Sequence, residues 1–353
     1  MNTSVPLARR SNTLSSSLGL GEKLFASSHE RRFADAIEKG LAVVEAGLLA
    51  EMSFADNLAD VTARYLLEAG GKRVRPVLTL LTAQLGDGNT DDVITAAKAI
   101  EITHLASLYH DDVMDDAPVR RGVPSAQTKW GNSVAILTGD LLFARASKLV
   151  ASLGSNAIDV QADTFERLCL GQLHETIGPQ NDEDAIRHYL QVLADKTGSL
   201  IAAAGHVGVL YSNAPREYVE PVKTYGEKVG VAFQLIDDVI DLAPKDDNTG
   251  KDAGTDLRAG VSTLPLLYLT EQAKTDAAAA ALLDRISSAV RDGDDAAAGA
   301  VIAELREHPV TRQTLDEAHR WADEAVAALE PLPVGPVKKA LTRFAEVIVE
   351  RSS

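Results

Sequence analysis

An acidic cluster with one spacing occurs twice in this 353-residue chain, each time inside an apolar stretch long enough to form a helix. The two copies read Asp-Asp-Val-Met-Asp at 111–115 and Asp-Asp-Val-Ile-Asp at 237–241. In a helix, residues four apart lie on one face, so the first and last aspartates of each copy stack and repel each other. One copy alone is typical of a solvated helix face, but two copies with the same spacing predict a compensating cation.

The chemistry of the ligands indicates which cation is expected. Carboxylate oxygens without His or Cys suit Mg²⁺, which keeps several waters and binds phosphorylated substrates, better than they suit zinc. The predicted metal ligands are Asp111, Asp112, Asp115, Asp237, Asp238 and Asp241.

The composition limits the classes of function. The formal net charge of −16 argues against nonspecific nucleic-acid binding, because phosphate backbones require a basic protein surface. The single cysteine, Cys169, excludes an intramolecular disulfide framework. We recognise neither a secretory signal nor an apolar run long enough to span a bilayer, so a cytoplasmic protein without transmembrane segments is expected.

The hydrophobic pattern predicts an all-α fold. Apolar residues recur at spacings of three and four from Ala34 onward, and convincing strand alternation is absent. Among the predicted helices are stretches at about 184–208 and 216–242. Residues 1–30 are rich in serine and lack this periodicity, so we expect a flexible arm followed by a single domain over 31–353.

Cations occur where a diphosphate could use them. The segment Gly-Gly-Lys-Arg-Val-Arg-Pro at 70–76 places three cations between two helical segments, and Lys and Arg both bind phosphate well. His104 lies seven residues before Asp111, about two helical turns, and so on nearly the same face. A lone helical histidine is often a packed core residue, but on this face His104 is a candidate hydrogen-bond donor to a phosphate.

Taken as a set, these motifs resemble the all-trans polyprenyl diphosphate synthases from about residue 35 to the C-terminal end of the sequence. The motifs that carry the resemblance are Gly71-Lys72-Arg73-x-Arg75-Pro76, His104 followed by Ser107 to Asp115, Arg120-Arg121-Gly122, Lys196-Thr197, Phe233-Gln234-x-x-Asp237-Asp238-x-x-Asp241 and Gly250-Lys251. The resemblance implies the isoprenoid synthase fold, an all-helical bundle around a deep central cavity with the two aspartate motifs at its mouth. It also implies a homodimer.

The resemblance further assigns roles to residues. It implies roughly three Mg²⁺ ions per active site, held by the aspartate motifs on an allylic diphosphate. The implied catalytic residues are Asp111, Asp115, Asp237, Lys196, Thr197 and Gln234. The implied ligands of the allylic diphosphate are Arg120, Lys196 and Lys251, and those of isopentenyl diphosphate are Lys72, Arg75, His104 and Arg121.

The implied reaction is Mg²⁺-dependent, head-to-tail, trans elongation of an allylic prenyl diphosphate with isopentenyl diphosphate. A helix advances about 5.4 Å per turn, close to one isoprene unit, so residues on the turns before Asp111 act as a ruler for the growing tail. The wall positions Thr103, Ala106 and Ser107 are all small. We therefore expect a medium- or long-chain, membrane-seeking product, such as a quinone side chain requires.

Several alternatives remain open on the sequence alone. Where many members of the family carry a lysine, this chain has Val261, which leaves the affinity for the allylic diphosphate open, with Lys245, Lys251 or Arg258 as substitutes. A short-chain farnesyl or geranylgeranyl synthase and a regulatory subunit of a heteromeric synthase are the main rivals. A terpene cyclase or head-to-head synthase has no need of the Lys72, Arg75 and His104 site, and an acidic helical scaffold has no need of Mg²⁺.

Overall fold

The computed structural model describes residues 27–180, 183–243 and 253–351, and in these ranges the chain is predominantly helical. The all-α prediction is confirmed. The helices are α1 Ser28–Glu51, α2 Asn57–Glu68, α3 Val74–Ala83, α4 Asp91–Met114, α5 Ala126–Trp130, α6 Asn132–Leu153, α7 Ser155–Ile177, α8 Ala185–Leu193, α9 Ser199–Tyr211, α10 Val219–Asp241, α11 Thr255–Arg258, α12 Leu264–Ala273, α13 Ala277–Asp292, α14 Asp295–Glu307, α15 Pro309–Ala328 and α16 Pro336–Glu350.

Three local features depart from the periodicity-based prediction. The helix expected over 184–208 contains a π-helical turn at Ala194–Gly198, and the stretch 216–242 opens with a 3₁₀ turn at Arg216–Tyr218. A two-stranded antiparallel hairpin pairs β1, Val119–Arg120, with β2, Val123–Pro124. An apolar repeat is insensitive to one extra residue in a turn, and two-residue strands are too short to show alternation.

The described chain divides into two compact units, each assembled from separate segments. The first unit contains the described residues through Glu166, with Leu200–Gly226 and Ala328–Phe344. The second contains Arg167–Ser199, the described part of Glu227–Ala327, and the described residues from Ala345 onward. The assignment of 31–353 to one domain stays a prediction. Most of the predicted N-terminal arm, residues 1–26, lies outside the described residues.

The core of the first unit is built around helix α4, which packs against α6 along much of its length. Tyr109, in the middle of this core, donates a hydrogen bond to the carbonyl of Thr62 and accepts one from the backbone N–H of Leu66 at 3.3 Å. These bonds fix α4 against α2 and so set the position of the first acidic cluster. The core residues contributed by α4 and α6 are Ala97, Ile102, Leu105, Ala106, Tyr109, Ala135, Leu142 and Ala146.

The second unit has its own apolar core, formed where α12 packs against α8 and α13, and α13 against α14. Its central residues include Leu257, Leu269, Leu282, Val301 and Leu305. This packing stabilises the part of the second unit that follows the second acidic cluster in the chain. In the parts of the chain that the structure describes, no helix is long and apolar enough to cross a bilayer.

Candidate active site

Helix α4 carries the first acidic cluster at its C-terminal end. The helix begins at a Thr90 cap, whose hydroxyl accepts the backbone N–H of Val93 at 3.2 Å, and it ends at Asp115. The last turn contains no basic residue. The carbonyl end of a helix has a negative partial charge, so the carboxylates of Asp111 and Asp115 lie where a cation is favoured electrostatically.

Asp112 differs from its neighbours because it is fully buried. Its Oδ1 accepts a hydrogen bond from Nε of Arg120 at 2.6 Å, whereas its Oδ2 is buried without a hydrogen-bond partner. Burial raises the pKa of Asp112, and the Arg120 guanidinium opposes that shift. The predicted metal ligand is thus an ion-pair partner that fixes the predicted allylic-diphosphate ligand Arg120 above the end of α4.

The basic turn before α3 depends on glycine. Gly71 has φ of +135°, and a Cβ at this position would lie 2.4 Å from Nη1 of Arg73 and 3.0 Å from Cζ of Arg121. A side chain here would displace both guanidiniums, and the left-handed backbone itself favours glycine. Lys72, the next residue, is exposed.

Arg73 is the cation of this turn that protein groups engage most fully. It is buried, donates to the Glu45 carboxylate at 2.5 Å and donates to the carbonyls of Gly70 and Leu67 at 2.9 and 3.1 Å. Arg73 therefore holds the turn in shape, with backbone φ of +52°, while its neighbours Lys72 and Arg75 remain the predicted substrate ligands.

Arg121, in the loop of the hairpin, is brought to the same turn. Its Nη1 donates to the carbonyl of Leu66 at 2.7 Å and to that of Gly70. Burial lowers the pKa of Arg121 to about 10, with the carboxylate of Glu101 opposing the shift and neighbouring arginines adding to it. The predicted isopentenyl-diphosphate ligands Arg121 and Arg75 thus belong to one cationic group.

His104 lies against this cationic group. Burial pushes the pKa of His104 well below its ordinary value, and the positive charges of Arg75, Arg121, Arg73 and Arg120 lower it further. Burial also lowers the pKa of Arg75, whose Nε is buried without a hydrogen-bond partner. A neutral imidazole among crowded arginines is the arrangement expected of a site that is completed by an anion.

The three wall positions on α4 differ in their surroundings. Ser107 is half-buried, and its hydroxyl donates to the His104 carbonyl at 2.9 Å. Ala106 is fully buried in the core, and Thr103 is also buried, with its hydroxyl donating to the carbonyl of Ala99 and accepting from Nε2 of Gln161 at 2.9 Å. Ser107 is the one wall position with solvent access.

The second acidic cluster ends helix α10 in the second unit. Asp238 is buried, and its Oδ2 accepts hydrogen bonds from the Tyr189 hydroxyl at 2.8 Å and from the backbone N–H of Leu264 at 3.3 Å. Burial raises the pKa of Asp238 to about 8. The middle aspartate of this cluster, like that of the first, is engaged by protein groups.

The outer aspartates of the second cluster also have protein partners. Oδ1 of Asp237 lies 3.4 Å from Nη2 of Arg351. The two carboxylate oxygens of Asp241 accept the backbone N–H groups of Thr255 and Asp256 at 3.2 and 3.1 Å, so Asp241 joins the end of α10 to the start of α11.

Lys196 and Thr197 lie in the π-helical turn between α8 and α9. Lys196 forms an ion pair with Glu175 of α7. Gln234 is half-buried on α10, one turn before the acidic cluster. A π turn interrupts a regular helix and is frequent at functional sites, which agrees with the catalytic role predicted for this segment.

The region of the missing lysine contains a paired arginine. Val261 is 44% exposed. Arg258, one suggested substitute, donates to the carboxylate of Asp295 at 2.6 Å and to the Ala253 carbonyl at 3.2 Å. The other two, Lys245 and Lys251, lie outside the described residues.

Among the described residues, no three His, Cys, Asp or Glu side chains are grouped closely enough to hold a metal ion unaided. The donor set still fits Mg²⁺, because this ion retains water and takes substrate phosphates as ligands rather than requiring a complete protein cage. The buried, unpartnered Oδ2 of Asp112 is a further sign of an incomplete site in the first unit.

Sequence reasoning missed several residues that contact the acidic clusters or the turn that carries Lys196. Tyr189 and Arg351 pair with Asp238 and Asp237, although they are far from the acidic cluster in sequence. Glu175 pairs with Lys196, and Arg167 contacts the turn that contains Lys196. A sequence signal exists for two of them: Arg167, Gly171 and Glu175 are four residues apart and so lie on one face of α7.

Comparison with known proteins agrees with this chemistry. The family model described as Polyprenyl synthetase matches residues 56–301. The chain is 44% identical over 320 residues to the nonaprenyl diphosphate synthase of Mycobacterium tuberculosis, a match that covers 90% of this chain and 94% of that protein.

Solved structures extend the likeness to the fold. A decaprenyl diphosphate synthase from Rhodobacter capsulatus superposes with a TM-score of 0.80 at 33% identity, covering 92% of this chain and 99% of that one. A geranylgeranyl pyrophosphate synthase from Corynebacterium glutamicum, complexed with calcium and isoprenyl diphosphate, gives 0.76 at 40% identity, covering 90% and 96%. The isoprenoid synthase fold is confirmed, and the chain belongs to the polyprenyl synthetase family of prenyltransferases.

Proposed function

We propose that this enzyme elongates an allylic prenyl diphosphate with isopentenyl diphosphate, head to tail and in the trans configuration, to a medium- or long-chain polyprenyl diphosphate. The observation that carries the proposal is the cationic group around His104. Arg75, Arg73, Arg121 and Arg120 all lower the pKa of this half-buried histidine, on the helix that ends in the first acidic cluster.

The cationic group is assigned to isopentenyl diphosphate. Lys72 is exposed and can approach the ligand as a point charge, while Arg75 and Arg121 supply planar forks for phosphate oxygens. His104 donates one hydrogen bond as a neutral imidazole. A bound diphosphate offsets the mutual repulsion of these arginines, which favours the loaded state.

The allylic diphosphate is assigned to Mg²⁺ and a second set of cations. The outer aspartates of the clusters, Asp111, Asp115, Asp237 and Asp241, are the proposed ligands of roughly three Mg²⁺ ions. When bound, Mg²⁺ stabilises the negative charge that develops on the leaving diphosphate. The proposed cationic ligands are Arg120, held in place by Asp112, together with Lys196 and Lys251.

Ionisation of the allylic C–O bond leaves a carbocation, which the double bond of isopentenyl diphosphate attacks. The side-chain oxygen of Gln234 and the backbone carbonyls of Lys196 and Thr197 are proposed to turn their dipoles toward this cation. Loss of a proton then forms the new double bond, with the released diphosphate as its acceptor. An apolar surrounding must exclude water during these steps.

The proposal of a long product rests on the small side chains before Asp111. Ser107 has solvent access beside the predicted path of the tail, and it leaves room that an aromatic residue would fill. The nonaprenyl and decaprenyl synthases that this chain is similar to agree with a long product. The alternative of a short product has support from the similar geranylgeranyl pyrophosphate synthase.

A homodimer is proposed from the surface of the first unit. Ile136 and Leu137 on α6 and Ile158 and Phe165 on α7 are exposed, and apolar side chains that form a contiguous surface patch are typical of a protein contact. We also propose a cytoplasmic enzyme, since both substrates are charged diphosphates, while its long-chain product seeks the membrane.

One assay tests the function. Purified protein is incubated with Mg²⁺, labelled isopentenyl diphosphate and, in separate reactions, allylic primers of increasing length, and the dephosphorylated products are sized. Products longer than twenty or so carbons support the proposal, and a distribution that stops at geranylgeranyl length supports the short-chain alternative. Absence of any labelled prenyl product contradicts both.

A further inference from the structure

The π-helical turn at Ala194–Gly198 departs from the regular α-helical pattern of hydrogen bonds, and a side-chain hydroxyl bonds to one of its carbonyls. The backbone N–H of Ser199 donates to the carbonyl of Ala194, five residues back, instead of to that of Asp195. The carbonyl of Asp195 accepts the Ser199 hydroxyl at 2.5 Å. The side chain of Ser199 therefore adds a hydrogen bond within the wider turn.

An ion network holds this turn from outside. Nε of Arg167 donates to Oδ1 of Asp195 at 2.7 Å, and its Nη2 donates to the Ala194 carbonyl at 3.4 Å. Nη1 of Arg167 pairs with the Glu227 carboxylate on α10 at 2.7 Å. The second oxygen of Asp195 accepts Nε2 of Gln191 at 2.8 Å, so both oxygens of this poorly exposed carboxylate are satisfied.

Two glycines bring backbone close to the same turn. A Cβ at Gly171 of α7 would lie 2.8 Å from the backbone nitrogen of Lys196, and a Cβ at Gly198 would lie 2.8 Å from the carbonyl oxygen of Glu227. Side chains do not tolerate such distances to backbone atoms. The turn that carries Lys196 is thus packed against α7 and α10 and tied to both by Arg167.

The network has more bonds than a surface ion pair. Arg167 is a forked guanidinium that contacts two carboxylates and one carbonyl, and each of its three nitrogen atoms is used. The turn itself carries Lys196, whose side chain has solvent access. A rigid support beneath a cation that must meet a diphosphate is what precise positioning requires.

We propose that Arg167, Asp195 and Glu227 are positioning residues that fix the π turn and thereby aim Lys196 at the allylic diphosphate. This inference rests on the proposed function, which gives Lys196 its substrate. Arg167 itself does not touch substrate. Its contribution passes through Lys196, and this distinguishes it from a residue that only stabilises the fold.

Steady-state kinetics of Arg167→Gln give the first test. Loss of the fork should loosen the turn and reduce kcat/KM for the allylic primer roughly ten- to hundredfold, with KM for isopentenyl diphosphate changed by less than about twofold. Arg285→Gln is the matched control, because Arg285 makes a two-bonded ion pair with Glu304 in the same unit and away from this turn. The control should retain wild-type kinetics.

A double-mutant cycle gives the decisive test. If Arg167 acts through Lys196, Arg167→Gln should have little further effect on kcat/KM in a Lys196→Ala background. An equal loss in both backgrounds would overturn the proposal, as would an unaltered allylic kcat/KM in the single variant. If Arg167→Gln does not fold, Arg167→Lys, which keeps the charge and lacks the fork, carries the same cycle.

The experiments distinguish a failure of the proposed function from a failure of the positioning role. Wild-type protein that forms no prenyl product in the assay above contradicts the proposed function. Active wild-type protein with an additive cycle contradicts the positioning role alone.

Discussion

Nε of Arg120 donates to Oδ1 of Asp112 at 2.6 Å, and this bond joins the first acidic cluster to the hairpin that follows it. Because Asp112 is fully buried and Arg120 is not, the carboxylate serves as an anchor and the guanidinium retains solvent access. The cluster therefore separates into outer carboxylates suited to Mg²⁺ and an inner one suited to orienting a cation. The predictions below depend on that separation.

Asp111→Ala should reduce turnover by at least about a hundredfold, since removal of one strong electrostatic stabiliser of the leaving group costs that much. Asp237→Ala should reduce turnover to a similar extent. The rate is measured at low and at saturating Mg²⁺, with thermal unfolding as the check on folding. Asp92→Ala, at the opposite end of α4, is the control and should be normal. Near-normal turnover of either active-site variant at low Mg²⁺ would disprove the metal assignment.

Arg120 and Arg121 are adjacent but should affect different substrates. Arg120→Ala should raise KM for the allylic primer more than KM for isopentenyl diphosphate, and Arg121→Ala should do the reverse. Both variants should also lose thermal stability, because Arg121→Ala removes the bonds to the carbonyls of Leu66 and Gly70, and Arg120→Ala leaves the buried Asp112 carboxylate without its partner. Arg291→Ala, on the exposed surface of α13, is the control. Identical effects of the two variants on both substrates would exclude the split.

Ser107→Phe should shorten the product by several isoprene units while the first condensations continue, because the ring narrows the path about one turn before Asp111. Product length is read from the dephosphorylated polyprenols. Ser152→Phe is a matched control, since Ser152 makes the same bond to the carbonyl three residues earlier but lies on the exposed surface of α6. An unchanged distribution from a folded, active Ser107→Phe enzyme means that the tail takes another route.

Ala106→Phe is a poorer probe of the same path. Ala106 is fully buried in the core, where a large side chain forces repacking that costs about 1–3 kcal/mol or more. A shorter product from that variant would not distinguish a blocked path for the tail from a distorted core.

His104 should make folding stability depend on pH. Its pKa is well below the ordinary 6.5 in the folded protein, so between these two values the unfolded chain binds a proton that the folded chain does not. Stability should therefore fall as pH drops below about 6.5, by up to about 1.4 kcal/mol per pH unit from this group. Denaturant unfolding at pH 7, 6 and 5 should show a shallower decline for His104→Gln than for wild type.

The matching control replaces an exposed histidine. His319→Gln on α15 should retain the wild-type slope of unfolding free energy against pH. A wild-type slope in His104→Gln as well would mean that other groups govern the acid sensitivity.

Sequence periodicity predicts where most of the helices lie, because the apolar face that a helix buries is written in the spacing of its own residues. It also identified the acidic clusters and the basic turn, since both are local in sequence. What it could not give is which member of a charged run turns inward. Arg73 and Arg75 are only two positions apart at the start of α3, and the carboxylate that pairs with Arg73 is that of Glu45 on α1, far away in sequence.

The π turn was missed for a related reason. One extra residue between two helical segments leaves the spacing of apolar residues nearly intact, whereas the bonds that stabilise it come from Arg167 and Ser199. Tyr189 and Asp238, similarly, are 49 positions apart, and only folding makes them neighbours. The roles of the aspartates, of Gln234 and of the wall positions stay predictions.

Gly71 has a consequence for binding strength. A Cβ at this position would meet the guanidiniums of Arg73 and Arg121, so enlarging the residue should displace them and weaken the positive potential around the turn without removing a charge. In the first unit, the affinity for an anion should therefore depend on the space left at position 71 as well as on the number of cations.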